Sequence, residues 1–276
     1  MIQPILQDEA LLADIAGASV DQLHIWWLGQ SGFLVKSGAT SFVFDPYLSD
    51  TLTEKYAATD KPHVRMTERV IDPARLDFAS FATSTHAHTD HLDHGTLLPM
   101  REANPGLQLV LPRAIAAMAR DRLGDWADDY LWMNAGESLE PVEGLKVEAI
   151  PAAHNELDRD EAGNHLYLGY VVTIGGKRIY HSGDTLLYPG IEEWIGGPVD
   201  VALLPINGNK PERRVSGNLD GREAAELAHR IGAGVVVPCH YEMFEFNTAS
   251  PELFESTCRE LGQPCRVLRA GERLTI

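Results

Sequence analysis

The chain has 276 residues, 44% of them hydrophobic, and a formal net charge of −17 at pH 7. The hydrophobic fraction is sufficient for a folded core. The charge argues against nucleic acid or an anionic membrane surface as a partner, because both require a basic face. No uninterrupted apolar run approaches the roughly 18 residues of a transmembrane helix, so none is expected.

The first residues, MIQPILQDEALLADIAG, lack the basic start of a secretory signal. The three cysteines, Cys239, Cys258 and Cys265, have no disulfide-framework spacing. Both features predict a cytoplasmic protein. No linker, low-complexity tract or repeat divides the chain, and we expect a single domain over residues 1–276.

Hydrophobic periodicity gives the predicted elements in chain order. Glycines separate the first short strands, and residues 50–75, polar and proline-containing, predict a long loop near a site. Strands are predicted near residues 23–28, 32–37, 41–45, 75–84, 107–111, 130–133, 145–150, 166–174, 177–181, 200–206 and 233–240, with two short ones after 265. Helices are predicted at 93–102, 112–123, 219–233 and 251–262. Strands come first in runs and later alternate with helices, which predicts two sheets covered by helices.

The segment STHAHTDHLDH, residues 84–94, concentrates four of the chain's 11 histidines. His86, His88, Asp90 and His91 form the pattern H-x-H-x-D-H. In an extended segment, His86 and His88 would point the same way, and a following turn would bring the other two to a second point. Imidazoles and carboxylates at this spacing predict a metal site; the alternative is a surface loop that is rich in histidine.

Three later residues stand where an apolar strand ends and a polar loop begins. His154 ends VEAIPAAH, Asp184 lies in IYHSGDT, and His240 ends VVVPCH. We expect them to converge on the same sheet edge as the histidine-rich segment. Each taken alone is also compatible with an ordinary polar loop residue.

These segments, in this order, resemble the metallo-β-lactamase superfamily over nearly the whole chain. The resemblance begins at WLGQSGFLVKSGATSFVFDPYLSD, continues through THAHTDH, PAAH and HSGDT, and closes on LPINGN and PCHYEMFEFN. The last two elements look most like the branch that contains the bacterial L-ascorbate-6-phosphate lactonase. The chain's length and its WLGQSGFLVKSG segment are more similar to the generic relatives in that branch.

The resemblance implies an α/β fold, a four-layer αββα sandwich, with two divalent metal ions at one edge. It implies that Asp184 and a hydroxide bridge the ions, and that Asp45 orients a ligand. The implied ligand sets are His86, His88 and His154 for one ion, and Asp90, His91 and His240 for the other. Such a donor set suits zinc, manganese or iron.

Neighbouring residues receive other interpretations. Asp93 is expected to cap the helix that follows, and His94 to face solvent. His181 is out of phase with the Asp184 loop and is not assigned as a ligand. Cys239 is expected to be a small buried side chain.

Substrate contacts have weaker support in the sequence. Tyr241 follows His240 and is a candidate catalytic group that hydrogen-bonds a leaving group or oxyanion; packing is the alternative. The loop PINGNKPERR offers amides and guanidinium groups for a phosphate or carboxylate, unless it is simply a solvated basic loop. The candidate substrate-binding residues are Asn207, Asn209, Arg213 and Arg214.

The predicted function is a metal-dependent hydrolase in which a metal-bridging hydroxide attacks a carbonyl or phosphoryl centre. Asp90 would accept a proton or steer the water. The expected substrate is a small anionic molecule, a sugar-phosphate lactone or similar ester. The alternatives are a phosphodiesterase of the same superfamily and a metal-binding protein without catalysis. The sequence leaves open whether the chain forms a homo-oligomer.

Overall fold

The computed structural model describes residues 1–276 and contains two mixed β-sheets. In the first, seven strands run in the order β13-β1-β2-β3-β4-β5-β6. Strands β13 to β3 pair antiparallel and β3 to β6 parallel. Their bounds are β1 Leu23–Gly29, β2 Gly32–Ser37, β3 Thr40–Phe44, β4 Phe81–Thr83, β5 Gln108–Pro112, β6 Tyr130–Met133 and β13 Arg273–Thr275.

The second sheet has six strands in the order β12-β11-β10-β9-β8-β7. It too combines both pairings, since β12 to β10 are parallel and β10 to β7 antiparallel. The bounds are β7 Ser138–Val142, β8 Leu145–Pro151, β9 Leu168–Ile174, β10 Lys177–His181, β11 Val201–Pro205 and β12 Val235–Cys239.

Seven α-helices accompany the sheets, and the longest have ten residues, so no helix could span a membrane. Helix α6 begins with a capping box of Asp220 and Glu223, packs against α7 and covers β11 and β12. The bounds are α1 Asp8–Gly17, α2 Thr51–Tyr56, α3 His94–Ala103, α4 Ala116–Leu123, α5 Ile191–Ile195, α6 Gly221–Arg230 and α7 Glu252–Leu261. Two sheets with helices confirm the predicted sandwich.

One hydrophobic core of 70 buried residues contains side chains from both sheets and from the helices. The core strands carry Val, Ile, Leu and aromatic residues, and all seven residues of β1 are buried. Such continuous apolar strands occur where both faces of a sheet are covered. A smaller cluster of Tyr47, Leu52, Met243 and Phe244 lies apart from this core.

The structure corrects several element boundaries. The strand expected at 75–84 shrinks to β4, because Asp72 caps a 3₁₀ turn at Pro73–Arg75 that uses the preceding residues. The loop expected at 50–75 contains α2, and only β13 forms after residue 265, where Cys265 makes a single bridge to Val236. Helices α1 and α5 and the largely exposed strand β7 were not predicted.

Strand ends position the candidate site. Six segments with polar residues of interest each follow the carboxyl end of a strand: Gln30 after β1, Asp45 after β3, residues 84–91 after β4, His154 after β8, Asp184 after β10 and His240 after β12. In sheets of this kind, such ends form the edge where functional groups gather. Both sheets contribute, so the site lies at their shared edge.

Asp93 anchors the segment behind that edge, as the sequence predicted. It is fully buried and accepts from Gly95 N at 3.1 Å as the N-cap of α3. It also accepts from Ser49 Oγ at 2.7 Å, Thr51 Oγ1 at 2.8 Å and Thr96 Oγ1 at 2.5 Å. The Asp93 carboxylate thus links α2, and the residues that precede it, to α3.

We predict that Asp93→Ala lowers the free energy of unfolding by about 3 kcal/mol, because three hydroxyl donors and a backbone amide lose a charged acceptor in the interior. The control is Asp220→Ala, which removes a partly exposed cap and should cost about 1 kcal/mol. Urea denaturation of both variants measures the difference. Equal losses would mean that the hydroxyl contacts of Asp93 contribute nothing.

Candidate metal centre

The histidine-rich segment after β4 is bent and not extended. It closes into a turn in which His91 N donates to His88 O at 3.1 Å and Leu92 N donates to the same oxygen at 2.8 Å. The His86 and His88 rings still approach each other, with centroids 4.6 Å apart. The turn, in place of an extended strand, brings Asp90 and His91 back toward them.

The seven candidate ligands form overlapping groups whose donor atoms lie within 4.8 Å of one another. One group contains His86, His88 and His154, and another contains Asp90, His91 and His240; these are the two sets that the resemblance implied. The third consists of His86, His91 and Asp184. Among the seven, only His88 is exposed, and Asp90 is partly buried.

Asp184 lies between the two predicted sets. Its Oδ2 is 3.4 Å from His154 Nε2 and 3.4 Å from His240 Nε2. Its Oδ1 is 3.4 Å from His91 Nε2. The carboxylate therefore faces imidazoles of both sets, which is the position required of a bridging ligand.

The outer nitrogens of two imidazoles are held by hydrogen bonds. His91 Nδ1 donates to Asp45 Oδ2 at 2.7 Å, and His154 Nδ1 donates to Gly217 O at 2.9 Å. In each ring Nε2 then points toward the Asp184 carboxylate, and His154 Nε2 also lies 3.2 Å from His88 Nδ1. An outer nitrogen fixed in this way is typical of metal-binding histidines. Asp45 is fully buried, as expected of a carboxylate that orients a ligand.

Asp45 is itself fixed by donors from β4 and its extension. Thr83 Oγ1 donates to Oδ1 at 2.6 Å, Thr85 N donates to Oδ2 at 3.1 Å, and Thr85 Oγ1 also contacts Oδ2. No sequence pattern indicates a role for these threonines beyond their place beside the histidines. Together they set the direction of the His91 ring.

The donor atoms at the centre fit a cation. His86 Nε2, His91 Nε2 and Asp184 Oδ1 are buried and have no hydrogen-bond partner. Buried polar atoms are normally satisfied, so three in one place require a common explanation. Imidazole nitrogens and carboxylate oxygens are the donors that zinc, manganese and iron accept.

Burial and charge divide the imidazoles into two classes. Burial lowers the pKa of His154 to about 4, and burial with neighbouring imidazoles lowers the pKa of His86. Burial also opposes protonation of His240, but the carboxylates of Asp184 and Asp90 outweigh it and raise that pKa to about 9. The carboxylates thus attract positive charge, from protons or from a metal ion.

Two residues that the sequence did not single out support the centre. Gln30 is fully buried, and its Nε2 donates to Asp90 Oδ2 at 2.8 Å. Arg122 donates to Ala87 O at 2.8 Å and Leu92 O at 3.0 Å, and so holds the turn that carries the ligands. A polar residue between the glycines of LGQSG was the available signal for Gln30.

A cavity of about 770 Å³ opens over the centre. Of the four predicted substrate-binding residues, Asn207 and Arg214 line it, and Asn209 and Arg213 do not. The Arg213 guanidinium is used within the protein, since it donates to Thr248 O at 2.7 Å and contacts Asn207 O. Asn209 packs instead beside Gly217. The structure therefore does not bring these two residues to the cavity, where the sequence analysis expected them to bind an anion.

Tyr241 is also not at the cavity. Its hydroxyl donates to Leu268 O, its ring stacks on Trp27 at a centroid distance of 4.4 Å, and it is 1% exposed. The packing alternative is the observed one. The tyrosine that does line the cavity is Tyr167, whose ring centroid lies 5.3 Å from that of His86 and 5.4 Å from that of His154.

The remaining neighbours agree with the predictions. His94 is exposed, and Cys239 is buried. His181 is not a candidate ligand, because its Nε2 donates to Ser31 O at 2.9 Å and its ring stacks on Phe44.

Comparison with known proteins supplies the family. The model of the β-lactamase superfamily domain matches residues 40–241. This chain belongs to that superfamily. It also belongs to the UPF0173 metal-dependent hydrolase family: a member from Pyrococcus furiosus is 30% identical over 260 residues, covering 92% of this chain and 100% of the relative. A member from Thermus thermophilus is 30% identical over 254 residues, covering 92% and 99%.

A solved structure agrees in fold. Igni18, a metallo hydrolase from Ignicoccus hospitalis, superposes with a TM-score of 0.66 at 25% identity, covering 92% of this chain and 98% of that one. The superfamily and the metal-dependent hydrolase class are thereby confirmed. The resemblance to the lactonase branch stays a prediction.

We predict that Asp45→Ala weakens metal binding about 10- to 100-fold, because His91 loses the acceptor that fixes its tautomer and direction. Asp45→Asn, which keeps one acceptor oxygen, should fall between the wild type and Asp45→Ala. Competition with a chromogenic chelator measures the affinity. Asp200→Ala, which removes a carboxylate paired with Lys177 far from the centre, is the control; unchanged affinity in Asp45→Ala would exclude the orienting role.

Proposed function

We propose that the protein binds two divalent cations and hydrolyses small anionic esters, lactones included. The observation that carries this proposal is the convergence of seven imidazole and carboxylate groups, three of whose donor atoms are buried and unpartnered, at the floor of a cavity. Family membership supports the hydrolase class. The ester is inferred from the resemblance to the lactonase branch, and its charge from the residues of the cavity.

His86, His88 and His154 would hold one cation and Asp90, His91 and His240 the other, with Asp184 between them. Cations bound there would lower the pKa of a water molecule from about 15.7 toward 7 and polarise the oxygen of the bond under attack. Closed, fully liganded sites serve structure, whereas open ones serve catalysis. The cavity above the two sets of ligands favours a catalytic site.

The chain's own groups have separate tasks around the reacting bond. Asp90 is partly buried, and the amide of Gln30 donates to its Oδ2 at 2.8 Å, so the carboxylate that would steer the attacking water is held in place. Tyr167 stands in the cavity wall beside His86 and His154. It takes the place that the sequence assigned to Tyr241, that of a hydroxyl donor to the substrate oxygen.

The charges that line the cavity favour an anion. Its carboxylates are Asp90 and Asp184, both of them candidate ligands, and its cations are Lys55, Arg122 and Arg214. In a chain with a net charge of −17, such a lining is a local reversal of sign. Lys55 is exposed and 3.5 Å from Thr89 Oγ1, so its ammonium group is available. Arg214 pairs with Asp60 at 2.5 Å at the surface.

The metal content tests the two-ion proposal. Wild type reconstituted with zinc or manganese should contain about two ions per chain, and Asp184→Ala should lose metal and hydrolysis together because it lacks the carboxylate between the two sets. His94→Ala removes an exposed neighbouring imidazole and should retain both. Elemental analysis gives the result, and a wild-type content that stays below one ion would refute the two-ion proposal.

The charge of the substrate is tested with matched anionic and neutral esters. Lys55→Met should raise KM for the anionic ester roughly two- to fivefold, since an exposed ion pair contributes up to about 1 kcal/mol, and should leave KM for the neutral ester unchanged. Lys146→Met, an exposed lysine on β8, is the control. Equal shifts of KM for both esters in Lys55→Met would place the anion elsewhere.

A further inference from the structure

Four aromatic side chains form one side of the cavity: Tyr56, His63, Phe244 and Phe246, here called the aromatic wall. His63 is central. Its ring stacks on Tyr56 at a centroid distance of 4.3 Å and meets the rings of Phe246 and Phe244 edgewise at 4.5 and 5.0 Å. Such geometries are the favourable ones for aromatic pairs. The wall is thus a continuous aromatic surface.

The aromatic wall is fixed before any ligand arrives. Backbone pairing joins its two segments, because Glu245 N donates to Val64 O at 3.1 Å and Met66 N donates to Met243 O at 2.8 Å. Phe244 belongs to the small buried cluster that contains Tyr47 and Leu52, and Tyr56 and Phe246 pack against that cluster. A rigid surface binds a rigid ligand with little loss of conformational entropy.

His63 contributes as an aromatic ring and not as a charge. Its Nδ1 donates to Lys61 O at 3.1 Å. Burial lowers its pKa below the ordinary value, which keeps the imidazole neutral at pH 7. The wall therefore adds no fourth cation to the cavity.

Further apolar lining leaves hydrophobic surface in contact with water. Met118 is 47% exposed and Val215 37% exposed, and both line the cavity. Exposed apolar side chains grouped in a concave site are typical of ligand binding. The additional aliphatic lining residues are Leu52, Ala87, Ala114, Ile115, Ala117 and Leu166.

Resting on the proposed hydrolase function, we infer that the organic part of the substrate is a planar aromatic group, carried by an aryl ester or an aryl-fused lactone that also has an anionic group. The partly exposed rings of Tyr56, His63 and Phe246, backed by the buried ring of Phe244, provide aromatic contact area, and Lys55 supplies the charge. A cavity of about 770 Å³ has the size of sites that enclose a molecule of this kind.

Binding of two carboxylates to the metal-loaded protein tests this inference separately from catalysis. The probes are 2-naphthoate and decahydro-2-naphthoate, which share charge and carbon skeleton and differ in planarity and aromaticity. Calorimetry should show that 2-naphthoate binds roughly tenfold more tightly, as expected for new aromatic pairs. Any contact of the carboxylate with metal or with Lys55 is common to both probes and cancels.

Two variants locate the preference. Tyr56→Leu and Phe246→Leu should each remove most of the preference for 2-naphthoate, while the affinity for decahydro-2-naphthoate changes less than twofold. Phe78→Leu is the control, since Phe78 is 39% exposed and outside the cavity. Circular dichroism and metal content confirm that each variant is folded and loaded; Tyr56, at the end of α2, is the safer position if Phe246→Leu does not fold.

Equal affinities for the two naphthoates in the wild type would overturn the inference, as would retention of the full preference in both wall variants. Hydrolysis of 3,4-dihydrocoumarin and δ-valerolactone separates the two proposals. Turnover of both lactones with equal kcat/KM and no naphthoate preference would refute the aromatic substrate and leave the hydrolase intact. A wall-dependent naphthoate preference without hydrolysis of any ester would support the aromatic ligand and refute the ester hydrolase.

Discussion

The buried carboxylate of Asp184, facing the imidazoles of His91, His154 and His240 at 3.4 Å each, is the contact around which the site is arranged. A charge at this depth is costly unless positive charge neutralises it. The surrounding hydrogen bonds turn imidazole lone pairs inward, as Asp45 does for His91. The fold thus concentrates negative charge and lone pairs at one point, and a divalent cation bound there would compensate both.

Much of this centre was predictable because ligand chemistry restricts residue type and spacing. The H-x-H-x-D-H pattern and the polar residues that end three apolar strands indicated all seven candidate ligands. Strand ends in a sheet of this type share an edge, so sequence order and topology together sufficed. Asp45 was predictable for the same reason, since it ends β3.

The residues around the substrate were not predictable in the same way. Arg213 and Tyr241 are chemically suitable, but the direction of a side chain at a loop depends on long-range packing. Arg213 turns inward to Thr248 O, and Tyr241 stacks on Trp27. The aromatic wall joins residues about 180 positions apart, and no local pattern indicates that His63 meets Phe244. Some predicted bounds of strands and helices were wrong for a related reason, as the capped 3₁₀ turn before β4 shows.

The cations of the cavity lining change what the net charge implies about the substrate. A net charge of −17 is a property of the whole surface, and it repels nucleic acid and other polyanions at long range. The cavity lining carries three cations beside its two carboxylates. A small anion that reaches the cavity meets the local charges, because ions in solution screen the more distant ones beyond about 8 Å.

The candidate ligands come from both sheets, and this has a mechanical consequence. His86, His88, Asp90 and His91 follow a strand of the first sheet, whereas His154, Asp184 and His240 follow strands of the second. A cation held by ligands of both sheets would be a further cross-link between two halves of the molecule that already meet through apolar contacts and a few hydrogen bonds, such as those of His181 to Ser31 O and His240 N to Gln30 O. Its binding free energy then adds to the cohesion of the sandwich. The same ions would then serve the reaction and stabilise the contact between the two sheets. A chelator would weaken that contact at the edge of the sandwich that carries the site.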